Sequence, residues 1–280
     1  MNIAVLLATY NRREKTISCL NSLYKQVLPI GSKIEVFLTD DASPDRTAEI
    51  IKKNFPAVHV FYGDGSLFWA GGMRRSWQEA IKGTHDYYLL INDDTTLESG
   101  ALLKLLSYYE KEHPVAICIG STSNGSKISY GGRKLYNQKA VQSFSIYSTN
   151  EFLECDMANA NIMLVPQKVV KKIGILSDCY THSIADFDYT LRANKAGFKV
   201  VVAPGVLGQC IDDHGNNWKS AAFSLTERIS YLKSPKGLAY KEYLHFIRIH
   251  FPHHLPMAFL KLWIKTLFPV LWDKYKTVEN

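Results

Sequence analysis

Over its first 120 residues the chain alternates short apolar runs with apolar stripes at helical spacing, a rhythm that few folds accommodate. The runs Ile3–Ala8, Ile34–Thr39, Val58–Tyr62, Tyr87–Ile91 and Val115–Gly120 have the length and composition of strands buried on both faces of a parallel sheet. Between them, Ile17, Leu20, Leu23, Tyr24 and Val27 share one helical face, as do Ile50, Ile51 and Phe55. Met73, Trp77, Ala80 and Ile81 mark a third helix, and Leu97, Ala101, Leu102, Leu105 and Leu106 a fourth. Ser43 is the expected N-cap of the second helix, with Pro44 at its first position. Repeated strand–helix–strand units predict an α/β fold: an open, mostly parallel sheet flanked by helices.

Past this point, Ser121–Glu154 is polar and glycine-containing, with hairpins expected around Gly131-Gly132 and over Val141–Tyr147. Ile162–Val165 reads as a core strand, Gln167–Ile173 and Asp186–Ala196 as helices, and Phe198–Ala203 as a further strand. Residues 1–218 are expected to form one domain with halves 1–120 and 121–218, followed by a helical extension over 219–280.

Composition narrows the setting. The 46% of hydrophobic residues can bury a sizeable core, and no repeat or low-complexity tract interrupts the chain. The five cysteines, Cys19, Cys118, Cys155, Cys179 and Cys210, are far apart and form no C-x-x-C pair, which fits a reduced, cytoplasmic setting better than a disulfide framework or zinc ribbon. Ile3–Ala8 has no basic segment before it and is too short for a signal-peptide core. No uncharged apolar stretch reaches the roughly 18 to 20 residues that a membrane-spanning helix needs.

Charge is unevenly placed. Residues 219–280 hold 10 Lys+Arg against 4 Asp+Glu, so +6 of the net +7 lies in the last fifth of the chain. Within it, Lys261 and Lys265 share one helix face, surrounded by Phe259, Leu260, Trp263, Ile264, Leu267 and Phe268. A basic amphipathic helix of this kind suits an anionic membrane surface; the alternatives are a helix packed on the main domain or a contact in a homo-oligomer. No nucleic-acid-binding motif accompanies the basic residues, so no nucleic-acid partner is expected.

In open α/β sheets, ligands bind outside the carboxyl ends of the strands. The segments there are Thr9-Tyr10-Asn11-Arg12, Asp40-Asp41-Ala42-Ser43, Gly63-Asp64-Gly65 and Asn92-Asp93-Asp94, three of them acidic. Paired carboxylates at strand ends can hold a hard divalent cation that neutralises phosphate oxygens, so a site for metal and diphosphate is expected.

On these loops the sequence resembles the family 2 inverting glycosyltransferases, nucleotide-sugar-dependent enzymes of GT-A fold. The likeness rests on Ala8-Thr9-Tyr10-Asn11-Arg12, Thr39-Asp40-Asp41-Ala42-Ser43, Asn92-Asp93-Asp94 in place of a D-x-D motif, and Ala185-Asp186-Phe187-Asp188 followed by Arg192, and spans roughly residues 1–215. It implies that Asp41 hydrogen-bonds the nucleotide base, that Thr9 and Tyr10 line its pocket, and that Arg12 approaches the phosphates. Asp94 is implied as direct ligand of Mg²⁺ or Mn²⁺, Asp93 as partner of the ribose or of metal-bound water, and His214 as the histidine completing the metal or diphosphate site. Asp186 matches the catalytic base, although Ala185 stands where the family often has an acid, which leaves Asp188 as the fallback. Residues 1–120 become the nucleotide-sugar half and 121–218 the acceptor half, with Asn159, Asn161, Asp188 and Trp218 as candidate acceptor contacts.

The segment from Gly63 to Arg74 resembles the donor loop of bacterial dTDP-rhamnose transferases of polysaccharide assembly, implying donor contacts from Gly65, Trp69, Gly71, Gly72 and Arg74. Gly71-Gly72 is expected to open a helix whose free N–H groups favour anions. Phe68 and Trp69 offer apolar surface to the methyl group of a 6-deoxy sugar, or simply pack into the core. Local architecture offers other readings: Asp41 and Asn92-Asp93-Asp94 suit turns, and Ser183-x-x-Asp186 fits a capping box. His214 before Gly215 suits an exposed loop, and Asp188–Arg192 an i, i+4 ion pair.

The expected activity is metal-dependent transfer of a sugar, with dTDP-rhamnose favoured as donor, to a saccharide or lipid-linked acceptor at the inner membrane face. The alternatives are a UDP- or GDP-sugar donor and a non-catalytic module binding sugar or membrane. A sugar-1-phosphate nucleotidyltransferase would carry a Gly-rich basic loop after the first strand, and Thr9-Tyr10-Asn11-Arg12 contains no glycine.

Overall fold

The computed structural model describes residues 1–110, 114–137, 139, 141–210 and 222–271. Strand β1 (Asn2–Thr9) leads into helix α1 (Arg13–Tyr24), β2 (Lys33–Asp40) into α2 (Thr47–Asn54), and β3 (His59–Tyr62) into α3 (Phe68–Ala80). Then come β4 (Tyr87–Ile91), the two-residue β5 (Thr96–Leu97), α4 (Ala101–Leu106) and β6 (Ala116–Ser123). Strands β1 to β4 run parallel in the order β3-β2-β1-β4.

Alternation along the central strands decides which residue faces which layer. Ile3, Val5 and Leu7 of β1 meet Leu20 and Leu23 of α1 and Ile51 of α2 on one face. Ala4, Leu6 and Ala8 meet Met73 and Trp77 of α3 on the other. Burial on both faces is why the apolar runs are nearly continuous.

The second half contains β7 (Ile128–Tyr130), β8 (Gly132–Asn137), β9 (Gln142–Ile146), β10 (Leu153–Glu154), β11 (Met157–Ala158) and β12 (Ile162–Pro166). Strands β8 and β9 pair antiparallel and, with β11, form a separate three-stranded sheet; the two expected hairpins differ, since β7 before Gly131-Gly132 pairs with β6 and Val141–Tyr147 supplies the single strand β9. Strand β12 enters the main sheet between β4 and β6, antiparallel to both. Helices α5 (Gln167–Ile173) and α6 (Ala185–Lys195) precede β13 (Lys199–Gln209), which pairs parallel to β6.

The extension comprises α7 (Leu225–Lys233), α8 (Tyr240–His250), a single 3₁₀ turn and α9 (Leu255–Leu267). Phe246, Ile247, Phe251 and Ala258 join the same core as α3 and α6. One face of α9 is thus docked, whereas Met257, Phe259, Leu260, Leu267 and Phe268 stay exposed. Among the described residues no helix is long and apolar enough to cross a membrane. All five cysteines are free.

Several expected boundaries move for identifiable reasons. Helix α1 stops at Tyr24 and leaves Val27 exposed. Helix α2 begins at Thr47, not Pro44, because Ser43 Oγ accepts the Asn11 N–H at 2.9 Å while Asp40 Oδ2 accepts that of Ala48 at 2.8 Å. Leu97 lies in β5 rather than in the fourth helix, which starts after Gly100. No capping box forms at Ser183: Ile184 precedes α6 in the left-handed region, at φ 74°, without a side-chain cap.

Candidate active site

Register brings the loops together. Thr9 lies opposite Asp40, Asp40 opposite Tyr62, and Leu6 opposite Leu90, so the chain leaves β1, β2, β3 and β4 along one edge. This is the carboxyl edge at which open α/β sheets receive ligands.

At its centre, Arg12 Nη1 contacts Asp93 Oδ1 at 3.3 Å and also pairs with Asp94 Oδ2. The two carboxylate side chains are only 7% and 11% exposed. Burial pushes Asp93 up to about 6, Arg12 opposes the rise and Asp94 adds to it. Asp93 Oδ2 is buried without a hydrogen-bond partner. Two adjacent carboxylates, one with an unsatisfied oxygen, fit a hard divalent cation such as Mg²⁺ or Mn²⁺. Among the described residues no group of three or more His, Cys, Asp and Glu side chains is arranged to hold a metal, and His214 and Trp218 lie outside them. Arg12, expected at the phosphates, thus engages the aspartates, and one guanidinium against two carboxylates leaves the cluster acidic. Thr9 is buried beneath it, its hydroxyl 2.9 Å from that of Thr16.

Asp41 organises the neighbouring loop. Its Oδ1 accepts the Gly65 N–H at 2.8 Å and its Oδ2 the Phe68 N–H at 2.9 Å. Phe68 is held at φ 52°, a conformation costly for a residue with a side chain, so the loop stores strain at the site. Trp69 donates its indole N–H to Asn92 Oδ1 at 2.8 Å, tying this loop to the acidic one. Tyr10 stands 46% exposed at the rim.

Three expected donor contacts serve other purposes. Because α3 begins at Phe68, the Gly71 N–H goes to Leu67 O at 3.1 Å and is no free anion site. Gly72 lies so close to β1 that a Cβ there would meet the Ala8 Cβ at 2.7 Å; its smallness lets helix and strand pack. Arg74 Nη1 donates to the carbonyls of Ser177 and Tyr180 at 2.7 Å each, bracing the segment before α6 rather than reaching a phosphate.

Asp186 opens α6 beside the other half of the sheet. Its carboxylate accepts the N–H groups of Phe187 at 2.9 Å and Ala160 at 3.2 Å, and Asn159 Nδ2 lies 3.5 Å away. Burial pushes Asp186 up to about 6 against those hydrogen bonds, a value suited to a base near neutral pH. Asn161 is buried, its carbonyl accepting the Asn92 N–H and its Nδ2 contacting Cys210 Sγ at 3.4 Å. Cys210 Sγ in turn lies 3.5 Å from Asp94 Oδ1, so Asn159–Asn161 touches the Asp186 environment at one end and the acidic cluster at the other. Asp188 points inward to Arg192, His250 and Tyr180, all side chains that hold α6 in place.

Sequence reasoning read Asn92 only as part of the acidic motif, assigned Cys210 no place in the site and passed over the extension's Glu242, whose Oε2 accepts the Thr181 N–H at 3.0 Å. It also passed over Lys236, whose Nζ lies 5.7 Å from the ring centres of both Tyr10 and Phe68. The tight-turn signature Ser234-Pro235-Lys236-Gly237 was the available signal for the last.

With this geometry in hand, residues 4–174 match the profile of glycosyl transferase family 2. A poly(ribitol-phosphate) beta-glucosyltransferase of Bacillus spizizenii is 27% identical over 176 residues, 61% of this chain and 25% of the relative. A dolichyl N-acetyl-alpha-D-glucosaminyl phosphate 3-beta-D-2,3-diacetamido-2,3-dideoxy-beta-D-glucuronosyltransferase of Methanococcus voltae is 24% identical over 223 residues, 73% of this chain and 65% of the relative. The chain therefore spans a quarter of the first relative and just under two thirds of the second. In fold it resembles the mannosyltransferase PcManGT from Pyrobaculum calidifontis, solved with GDP-Man and Mn²⁺, with a TM-score of 0.56 at 16% identity over 99% of this chain and 79% of that one.

Proposed function

The chain belongs to glycosyl transferase family 2, and we propose that it is a metal-dependent inverting glycosyltransferase acting on a saccharide or lipid-linked acceptor in cell-surface polysaccharide synthesis. The observation that carries this reading is the pairing, along one sheet edge, of the buried Asp93–Asp94 cluster with Asp186, a carboxyl pushed up to about 6.

Asp186 accepts the proton of an acceptor hydroxyl as that oxygen attacks the anomeric carbon, forming the new C–O bond from the face opposite the leaving group. The bond from that carbon to the diphosphate oxygen breaks in the same displacement, so configuration inverts. A divalent cation held by Asp94 and Asp93 would supply the positive charge that stabilises the departing nucleoside diphosphate. Asp41 and Tyr10 bound the base pocket, and the strained Phe68 with Trp69 presents apolar surface toward the sugar. That surface supports dTDP-rhamnose as the favoured donor, with UDP- and GDP-sugars as competitors.

Seating at the cytoplasmic face of a membrane belongs to the same proposal. The exposed row Met257, Phe259, Leu260, Leu267 and Phe268, beside the exposed Lys261, supports peripheral contact with anionic lipid. The Methanococcus voltae relative's name specifies a dolichyl-linked acceptor, consistent with a substrate presented at a bilayer.

Thermal shift with dTDP, UDP, GDP and their sugars, each with and without Mn²⁺, tests the reading, because a ligand that binds only the native state raises its melting temperature. Metal-dependent stabilisation by dTDP and dTDP-rhamnose is expected. Preference for UDP or GDP would replace the donor, and no shift with any of them would overturn the transferase reading.

A further inference from the structure

The turn between α7 and α8 is built to hold one lysine in place. Ser234-Pro235-Lys236-Gly237 has Ser, Pro and Gly at the first, second and fourth positions of a tight turn, and the Gly237 N–H closes it on Ser234 O at 2.9 Å. The Leu238 N–H bonds Tyr231 O at 3.1 Å and the Ala239 N–H bonds Ser234 O at 3.1 Å, fastening the turn to the end of α7. A Cβ on Gly237 would fall 1.9 Å from Tyr231 O, so only glycine permits this path.

From that turn Lys236 reaches back across the molecule. Its ammonium lies 5.7 Å from the ring centre of Tyr10 at the rim of the first loop and 5.7 Å from that of Phe68 on the strained loop. Both distances are within the range of cation–π attraction, which at exposed sites is weak, about 0.5–1 kcal/mol per ring. A diphosphate carries more than one negative charge and attracts the same ammonium more strongly. The adjacent cation, Arg12, is already paired with Asp93 and Asp94. Beside the divalent cation that Asp93 and Asp94 would hold, Lys236 at the aromatic rim is placed to add a further positive charge for the diphosphate.

We infer that Lys236, delivered by the C-terminal extension, is a donor-binding residue that contacts the diphosphate of the nucleotide sugar and closes the pocket between Tyr10 and Phe68. This rests on the proposal that the Tyr10–Asp41 edge receives a nucleoside diphosphate. It assigns the extension a share in donor binding in addition to lipid contact.

The test is isothermal titration of the full chain with dTDP, UDP and GDP in the presence of Mn²⁺, comparing wild type with Lys236→Met, Lys236→Arg and Lys233→Ala. Met keeps an apolar stem against the two rings without the charge, Arg keeps the charge, and Lys233→Ala removes a charge from the exposed end of α7. Lys236→Met should weaken diphosphate binding roughly tenfold, Arg should restore most of it, and Lys233→Ala should bind as wild type. The gap between wild type and Lys236→Met should narrow in high salt, as screening weakens an exposed ionic contact but not apolar packing. Equal affinity of wild type and Lys236→Met, or a gap independent of salt, would overturn the inference. Failure of wild type to bind any of the three diphosphates would instead overturn the reading on which it rests.

Discussion

His250 Nε2 lies 2.8 Å from Asp188 Oδ1, joining the C-terminal helices to α6 two residues beyond Asp186. The two side chains are 1% and 4% exposed, and the other carboxylate oxygen of Asp188 takes Arg192 Nε at 2.8 Å. One buried carboxylate thus holds a side chain from its own helix and one from the extension. The orientation of α6, and with it of Asp186, depends on both.

Removing that carboxylate should be expensive. Asp188→Ala removes the buried acceptor shared by Arg192, His250 and the Tyr180 hydroxyl and should destabilise the fold by about 3 kcal/mol, read by urea denaturation at neutral pH. Burial alone would raise the Asp188 pKa, but His250 and Arg192 together hold it below the usual carboxylate range. The wild-type advantage should therefore be present above about pH 4 and be lost as the pH falls through the lower folded value. An advantage that persists unchanged in strong acid would exclude the ionic contribution.

Asp186 should show the opposite linkage. Its folded pKa of about 6 exceeds that of an unfolded aspartate, so the native state holds the extra proton between about pH 4 and 6 and stability falls as pH rises through that window. Asp186→Asn should lower kcat/KM by about a hundredfold or more, yet melt higher than wild type at pH 8, with the difference vanishing near pH 4. The wild-type kcat/KM should rise with pH and level off above about 6. Retained turnover in Asp186→Asn would move the base elsewhere.

Asp41→Asn makes a sharper test of loop strain than deletion of the side chain. An amide offers one acceptor oxygen where two backbone N–H groups, those of Gly65 and Phe68, require acceptors. The variant should lose about 1–3 kcal/mol of stability and become more susceptible to proteolysis within residues 63–68. Unchanged stability and cleavage would mean that Phe68 keeps its left-handed backbone without this carboxylate.

Lipid contact can be probed without disturbing the docked side of α9. Combining Met257→Ser, Leu260→Ser and Phe268→Ser alters only exposed residues, leaves Ala258 and Leu262 buried and spares Phe259, whose ring lies 6.3 Å from that of Tyr240 on α8. Co-sedimentation with vesicles containing anionic lipid should drop by about tenfold or more, while turnover on a soluble saccharide acceptor stays within about twofold. Equal sedimentation of the triple variant and wild type would remove the membrane from the proposal.

Much of the architecture was legible because burial on both sheet faces imposes continuous apolar runs, and β1, β2 and β4 fall on Ile3–Ala8, Ile34–Thr39 and Tyr87–Ile91 within one or two residues. Once the strands are placed, their carboxyl ends select the loops, which is why Tyr10, Asp41 and Asp93 emerged together. Contacts between distant segments were not legible. Ser43-Pro44 has the local form of a helix start, but Asn11 takes the serine hydroxyl and Asp40 takes the Ala48 N–H. Arg12 and Arg74 look alike as candidate phosphate ligands, yet folding sends one to a carboxylate pair and the other to two carbonyls. Lys236 sits in a recognisable turn whose position against Tyr10 is set by the packing of α7 and α8, which no spacing in the sequence encodes.

The reversal of β12 has a consequence for how such a protein can diversify. Because it runs against β4, with Ile162 opposite Ile91, the chain arrives at the edge from which β4 departs. Residues 159–161 thus reach the acidic loop without a crossover, whatever length of hairpin precedes them. Insertions or deletions in the β8–β9 arm, in the half proposed to receive the acceptor, can therefore change that arm while β12 keeps residues 159–161 in register with the acidic loop.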